Sequence, residues 1–163
     1  MDFVLGHLKT LRKHASVLAV VDRFSKMAHF LPWSRTSDGS RVAKIFFDGV
    51  VKLHGLPKTI VSNKDFKFTS YFWKTLWHML CTKLKFFTAF HPQTDGQSEV
   101  VNKSLGNLLR TLVGEHIGSW DLKLSIVEFA YNSSVNRTIG KSPHEIVYGF
   151  RSRQPNELSL IHI

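Results

Sequence analysis

Val17-Leu18-Ala19-Val20-Val21-Asp22 is a run of five aliphatic residues closed by an acid. A short apolar run rich in β-branched residues reads as a strand. Residues 3–5 and 27–31 read the same way on either side of it, with Pro32 closing the third because proline cannot continue a sheet interior. The short connections predict an antiparallel meander. Beyond it, Val42, Ile45, Phe46, Val50 and Leu53 recur at helical spacing; Ser37 or Ser40 can cap that helix, and Gly55-Leu56-Pro57 stops it. Thr59–Ser62 is a β-branched run, 70–80 a helix rich in aromatics and 83–87 a fifth strand. A polar loop, 91–97, leads into a long helix from about 98 to 113, and 120–131 and Pro143–Tyr148 read as further helices. This order predicts an α/β fold, a five-stranded mixed sheet flanked by helices.

Composition narrows the function. A chain of 163 residues with 43% apolar content has enough material for one domain with one core. Its 22 Lys and Arg against 12 Asp and Glu leave a formal charge of +10, a surface that attracts polyanions at long range. Nucleic acid is the first candidate partner, and a merely soluble basic domain is the alternative. Cys81 is the single cysteine, which excludes an intrachain disulfide and fits a reducing, intracellular setting. The nine histidines are scattered, and none joins Cys81 at the doubled spacing of a zinc site. No apolar run approaches a membrane span, so no membrane partner is expected, and the first eleven residues carry no leader or transit pattern.

The helix after the polar loop concentrates the chemistry. At 100° per residue, Glu99, Lys103, Gly106 and Arg110 share one face, and Val101, Leu105, Leu108, Leu109 and Leu112 take the other. A carboxylate at the helix start with two cations below it suits a metal beside a phosphate backbone. An ordinary first-turn glutamate above a solvated face is the competing reading.

Several motifs extend the pattern: Met1-Asp2-Phe3-Val4, Val20-Val21-Asp22-Arg23-Phe24-Ser25-Lys26-Met27, Leu53-His54-Gly55-Leu56-Pro57 and Phe68-Thr69-Ser70. They are followed by His91-Pro92-Gln93-Thr94-Asp95-Gly96-Gln97-Ser98-Glu99, Trp120-Asp121, Ala130-Tyr131-Asn132-Ser133-Ser134 and Ser142-Pro143-His144-Glu145. In this order they resemble the integrase catalytic core of gypsy-type LTR retrotransposons, part of a Pol polyprotein in the retroviral integrase superfamily. The resemblance runs from residue 2 to about 157 and implies an RNase H-like fold. It implies a polynucleotidyl transferase for DNA 3′-processing and strand transfer, with element ends and target DNA as partners and a homo-oligomeric assembly. It also implies a nuclear or virus-like-particle location, and two Mg²⁺ or Mn²⁺ ions held by two aspartates and a glutamate.

Asp2 matches the first acidic position and Glu99 the third. The family's interval of 35 residues before the glutamate falls on Asn63, in Ser62-Asn63-Lys64-Asp65, where the pattern has Ser-Asp. An amide in place of a carboxylate removes a full charge from a site built for hard dications, so the activity is expected to be impaired. The alternative is an inactive RNase H-like module that binds nucleic acid or oligomerises. Asp65 is a poor substitute, since two residues along a strand is roughly 6–7 Å away; a turn residue capping local backbone is the better reading. For DNA contacts, Lys103 and Arg110 come from the helix face, His91 and Gln97 from the loop that related integrases place against DNA, and Lys64, with Lys67, from beside the second triad position. Asp22 reads as a strand-end ion pair or cap, and Trp73, Trp77 and Trp120 as core or interface. Residues 1–157 form the expected domain with a truncated first strand. Residues 158–163 resemble a translated sequencing adapter and are set apart from it.

Overall fold

A computed structural model of the protein describes residues 2–5, 14–34, 38–86, 96–113 and 117–153. The meander is present. Strands β1 (Asp2–Leu5), β2 (Ser16–Val21) and β3 (Ala28–Trp33) form an antiparallel sheet in the order β1-β2-β3. Helix α1 (Gly39–Phe46) continues through a π-helical turn, Phe47–Val51, into α2 (Lys52–His54). Then come β4 (Thr59–Ser62), α3 (Phe66–Thr69), α4 (Tyr71–Met79), β5 (Lys83–Phe86), α5 (Gly96–Val113), α6 (Trp120–Ser133) and α7 (Pro143–Tyr148). Strands β4 and β5 pair in parallel as a separate two-stranded sheet, so the expected five strands stand as three plus two among the described residues. No described helix is long and apolar enough to cross a membrane.

Strand β2 is covered on both faces. Leu18 and Val20 pack with Trp33, Val42, Phe46, Ile60, Trp73 and Trp77, so α1, α4 and β4 share one layer. On the opposite face Val17 and Ala19 pack with Phe30, Val101, Leu105, Trp120, Leu124 and Val127 of β3, α5 and α6. The alternation of successive side chains across a strand makes one apolar run serve two cores. Trp73, Trp77 and Trp120 are buried as expected, and Trp33, which the sequence did not single out, joins them at 1% exposure.

Several boundaries differ from the sequence reading, each for a local reason. Helix α1 is capped by Asp38, whose side chain accepts from Arg41 N at 3.1 Å, and not by Ser37 or Ser40; residue 37 lies outside the described residues. The π turn adds a residue to one helical turn and shifts the phase of everything after it. Leu53 is therefore 60% exposed although it follows the α-helical spacing of Val42 and Phe46. A Cβ on Gly49, within that turn, would meet Leu31 Cδ2 at 2.6 Å, so the absence of a side chain lets the turn lie against β3. The helix expected over 70–80 is α4, with Ser70 as its N-cap, the hydroxyl accepting from Trp73 N; the short α3 just ahead of it was not expected. Leu112 at the end of α5 is 39% exposed and leaves the apolar face.

Pro32 does not end β3. Asp22 N donates to Met27 O at 2.8 Å, and antiparallel rungs alternate in direction. The rungs at Ala28, Phe30 and Pro32 therefore turn their backbone groups away from β2, and proline has no N–H to leave bare there. Side chains of helix α6 meet three of the four backbone groups on the other two. Asn132 accepts from Ala28 N at 2.9 Å and donates to Ala28 O at 2.8 Å, both buried, and Glu128 Oε2 accepts from Phe30 N at 2.9 Å. The other carboxylate oxygen of Glu128 meets His29 Nδ1 at 3.1 Å, and His29 Nε2 meets His54 Nε2 at 2.8 Å. Burial, and then the neighbouring His29 imidazole, hold the His54 pKa below its usual value.

Replacing Asn132 by alanine strands a buried donor and a buried acceptor on Ala28, each costing about 1–3 kcal/mol. Urea denaturation of N132A should show a loss of about 2–4 kcal/mol with an unchanged m-value. A loss below about 1 kcal/mol would mean that water reaches this edge.

Candidate active site

The three positions that the sequence assigns to catalysis sit on or beside three different elements. Asp2 opens β1 in register with Ala19. Glu99 lies in the first turn of α5, two residues before Val101, which packs in the same cluster as Ala19. Asn63 directly follows β4, three residues after Ile60, which packs with Leu18 and Val20. Asp2 and Glu99 are thus carried by elements that pair with or pack on β2, whereas Asn63 follows a strand whose Ile60 joins the cluster on the opposite face. For Asp2, Glu99 and Gln97 the description stops at the backbone, and His91 lies outside the described residues.

The turn after β4 is held by its own polar side chains. Asn63 Oδ1 accepts from Asp65 N at 3.0 Å, a local turn that side-chain amides form readily. Asp65 in turn caps α3: its carboxylate accepts from Lys67 N at 3.0 Å and meets Lys67 Nζ at 3.4 Å. Lys67 is buried, with its ammonium 4.4 Å from the Phe66 ring centroid and 5.8 Å from that of Trp33. The expectation that Lys67 reaches phosphate is therefore corrected, because its charge is spent inside the fold against Asp65 and two rings. Asp65 has the capping role that the sequence favoured over rescue of the acidic triad.

Lys64, between Asn63 and Asp65, is exposed. Lys103 and Arg110 are exposed on α5, where Arg110 Nη1 reaches Asn107 Oδ1 at 3.5 Å. Val101 and Leu105 are buried on the opposite side of that helix, as its periodicity requires. Asp22 belongs to a turn and not to the site: its Oδ2 accepts from Ser25 N at 2.8 Å and from Ser25 Oγ at 2.7 Å. Asp121, quoted above only as part of a motif, is a buried anchor, its Oδ2 2.8 Å from His14 Nδ1 just ahead of β2. Among the described residues no three His, Cys, Asp or Glu side chains gather to hold a metal ion. The donor set that the sequence assigns, two carboxylates and an amide already engaged by a backbone N–H, fits a pair of hard dications poorly.

No family model matches the chain. Over 150 residues it is 34% identical to the Transposon Tf2-3 polyprotein of Schizosaccharomyces pombe, and equally so to the Tf2-4 and Tf2-5 polyproteins. These matches cover 92% of this chain and 11% of each polyprotein. Among solved structures, the chain is similar to the HTLV-2 integrase catalytic core domain in complex with magnesium, in its trimeric form, at a TM-score of 0.70 and 18% identity. That likeness covers 89% of this chain and 93% of the other. The chain belongs to the integrase cores of LTR-retrotransposon polyproteins. The integrase-core fold is also matched in the simian T-cell lymphotropic virus intasome in complex with PP2A regulatory subunit B56 gamma, at a TM-score of 0.76 and 17% identity, over 94% of this chain and 57% of that one. Against the polyproteins, this integrase core spans only 11% of their length.

The capping role of Asp65 predicts a stability effect at this site. D65A should lose about 1–2 kcal/mol from the open α3 terminus and the lost ion pair with Lys67, and D65N, which keeps an accepting oxygen, should lose less. Thermal denaturation of the two variants compares them directly; equal midpoints in D65A and the parent would remove the cap.

Proposed function

We propose that the chain is an integrase-type polynucleotidyl transferase core by descent, of the class that processes and joins DNA 3′ ends, and that its phosphoryl-transfer activity is weak or absent as written. The observation that carries this reading is Asn63. It stands at the end of β4 where the family pattern has an aspartate, its oxygen accepts the Asp65 amide proton, and Asp65 is itself committed to α3 and Lys67. Asp65, the carboxylate two residues on, is therefore already engaged and does not replace the missing one. Asp2 opens β1 in register with Ala19, and Ala19 shares a cluster with Val101, two residues after Glu99, which supports Asp2 and Glu99 as neighbours in one site; Asn63 joins them by the family interval. Mg²⁺ or Mn²⁺ would be held there by Asp2 and Glu99, with Asn63 a weak neutral third.

Restoring the charge tests this. N63D should gain Mg²⁺-dependent strand transfer on a DNA end by at least about 100-fold, the scale on which losing one dedicated metal contact is felt. Equal activity in N63D and the parent would overturn the role given to Asn63.

A second reading keeps the ancestry and drops the chemistry: a module that binds DNA and associates with further copies, in the nucleus or a virus-like particle. The exposed cations Lys103, Arg110 and Lys64 favour it, as does the net charge of +10. Phosphate contacts release counterions, so affinity for random duplex should fall steeply with salt, and K103A should lower the slope of log K against log salt by about 1 at every sequence alike. A salt-independent affinity would remove DNA as the partner. His91 and Gln97 belong to the same proposed surface, Gln97 in the first turn of α5 and His91 outside the described residues.

A further inference from the structure

Three side chains stand in series between α6, β3 and α2. Glu128 accepts from Phe30 N with one carboxylate oxygen and meets His29 Nδ1 with the other at 3.1 Å, and His29 Nε2 meets His54 Nε2 at 2.8 Å. An ionised carboxylate can only accept, so the proton of neutral His29 sits on Nδ1 and its Nε2 is an acceptor. His54 must then donate from Nε2, which leaves its own Nδ1 bare. His29 is buried, whereas His54 is exposed. Little else ties α2 down. It has no buried residue, and among the described residues its substantial packing is on the π turn just before it. Gly55, at φ 81°, forms a joint after it, and the chain is held again where Thr82 Oγ1 donates to Pro57 O at 2.8 Å. Between these points, His54, Gly55 and Leu56 form part of the wall of a cleft of about 860 Å³ that His29 also lines.

We propose that Glu128, His29 and His54 form an acid-released latch, closed with no added proton or with one and opened by the second, which frees residues 52–56 from β3 and moves that wall of the cleft. The first proton goes to His54 Nδ1, where it breaks no bond. The second must go to His29 Nε2, because Glu128 already holds the proton on Nδ1. Two N–H groups would then oppose each other across a contact of 2.8 Å, between two cationic rings centred 5.0 Å apart, and the contact cannot persist. The charges around His54 set how readily the first proton is taken. Asp22 at the end of β2 and Glu128 on α6 favour the cation, while burial and His29 oppose it and prevail; Arg23 lines the same cleft and adds to the opposition. A histidine whose pKa is held below 6.5 by the fold contributes stability that is complete above that pH and is lost as the pH falls below it. The latch rests on the fold alone, and its failure would leave the integrase assignment and the reading of Asn63 untouched.

The test reads amide hydrogen exchange at Gly55, whose N–H bonds to Val51 O at 2.8 Å, in the parent chain, H54A and H54Q. Between about pH 8 and about pH 4.5, after correction for the intrinsic pH dependence of exchange, protection in the parent should fall by at least about tenfold. H54A has no latch and should be poorly protected throughout. In H54Q the side-chain amide can donate through its nitrogen or accept through its oxygen, so it pairs with His29 in either protonation state and protection should stay level. Level protection in the parent would overturn the proposal, as would a fall of the same size in H54Q or full protection in H54A at neutral pH. Nitrogen NMR of the two rings supplies a second measurement: at neutral pH the protons should sit on His29 Nδ1 and His54 Nε2, and a proton on His29 Nε2 would sink the latch.

Discussion

A single strand with two dry faces sets the terms for everything else. Val17, Ala19 and the even-numbered Leu18 and Val20 are all nearly sealed from solvent, so the fold must supply a helical layer on each side of β2 and a strand along each edge. Burial of that kind stabilises by roughly 25 cal/mol per Å² of apolar surface removed from water, and no exposed residue on the chain offers a comparable gain. Two of the candidate catalytic positions inherit their placement from it. Asp2 lies on the strand paired with β2 and Glu99 on the helix packed against it, so those two positions depend directly on β2.

The outer edge of the sheet obeys a second constraint. An edge strand exposes a row of backbone groups that water or another chain will take. Here Asn132 takes both groups of Ala28, Glu128 takes the Phe30 N–H, and Pro32 has none to offer. Two side chains one helical turn apart on α6 match two rungs two residues apart on β3, the spacing that both periodicities provide. Trp120-Asp121 and Ala130 to Ser134 thereby gain a physical meaning beyond resemblance: the first anchors α6 through Asp121 and His14, the second covers the sheet.

Sequence alone was enough for the meander, for the order of elements and for the buried tryptophans 73, 77 and 120, because hydrophobic period and turn chemistry are local properties. It also singled out Asn63 by interval. What escaped it depended on partners distant along the chain. Pro32 looks like a strand end until β3 is known to be an edge. Lys67 looks like a solvated cation until Trp33, Phe66 and Asp65 are seen around it. Leu53 obeys the α-helical period, but the π turn that displaces it is permitted by the missing side chain of Gly49 against Leu31, a contact between elements that no periodicity encodes. The five-stranded sheet was read from a count of strands, and strands β1 and β4 are not paired among the described residues.

The grip of α6 on β3 also fixes which way that helix is turned about its own axis. With Glu128 and Asn132 locked inward, the helix cannot roll without abandoning Ala28 and Phe30, so its far side has a constant heading. Leu122, Ile126 and Phe129 lie on that far side and are exposed. A greasy ridge with a fixed azimuth is thus built into the outer wall of the domain, aimed by polar bonds that it never touches.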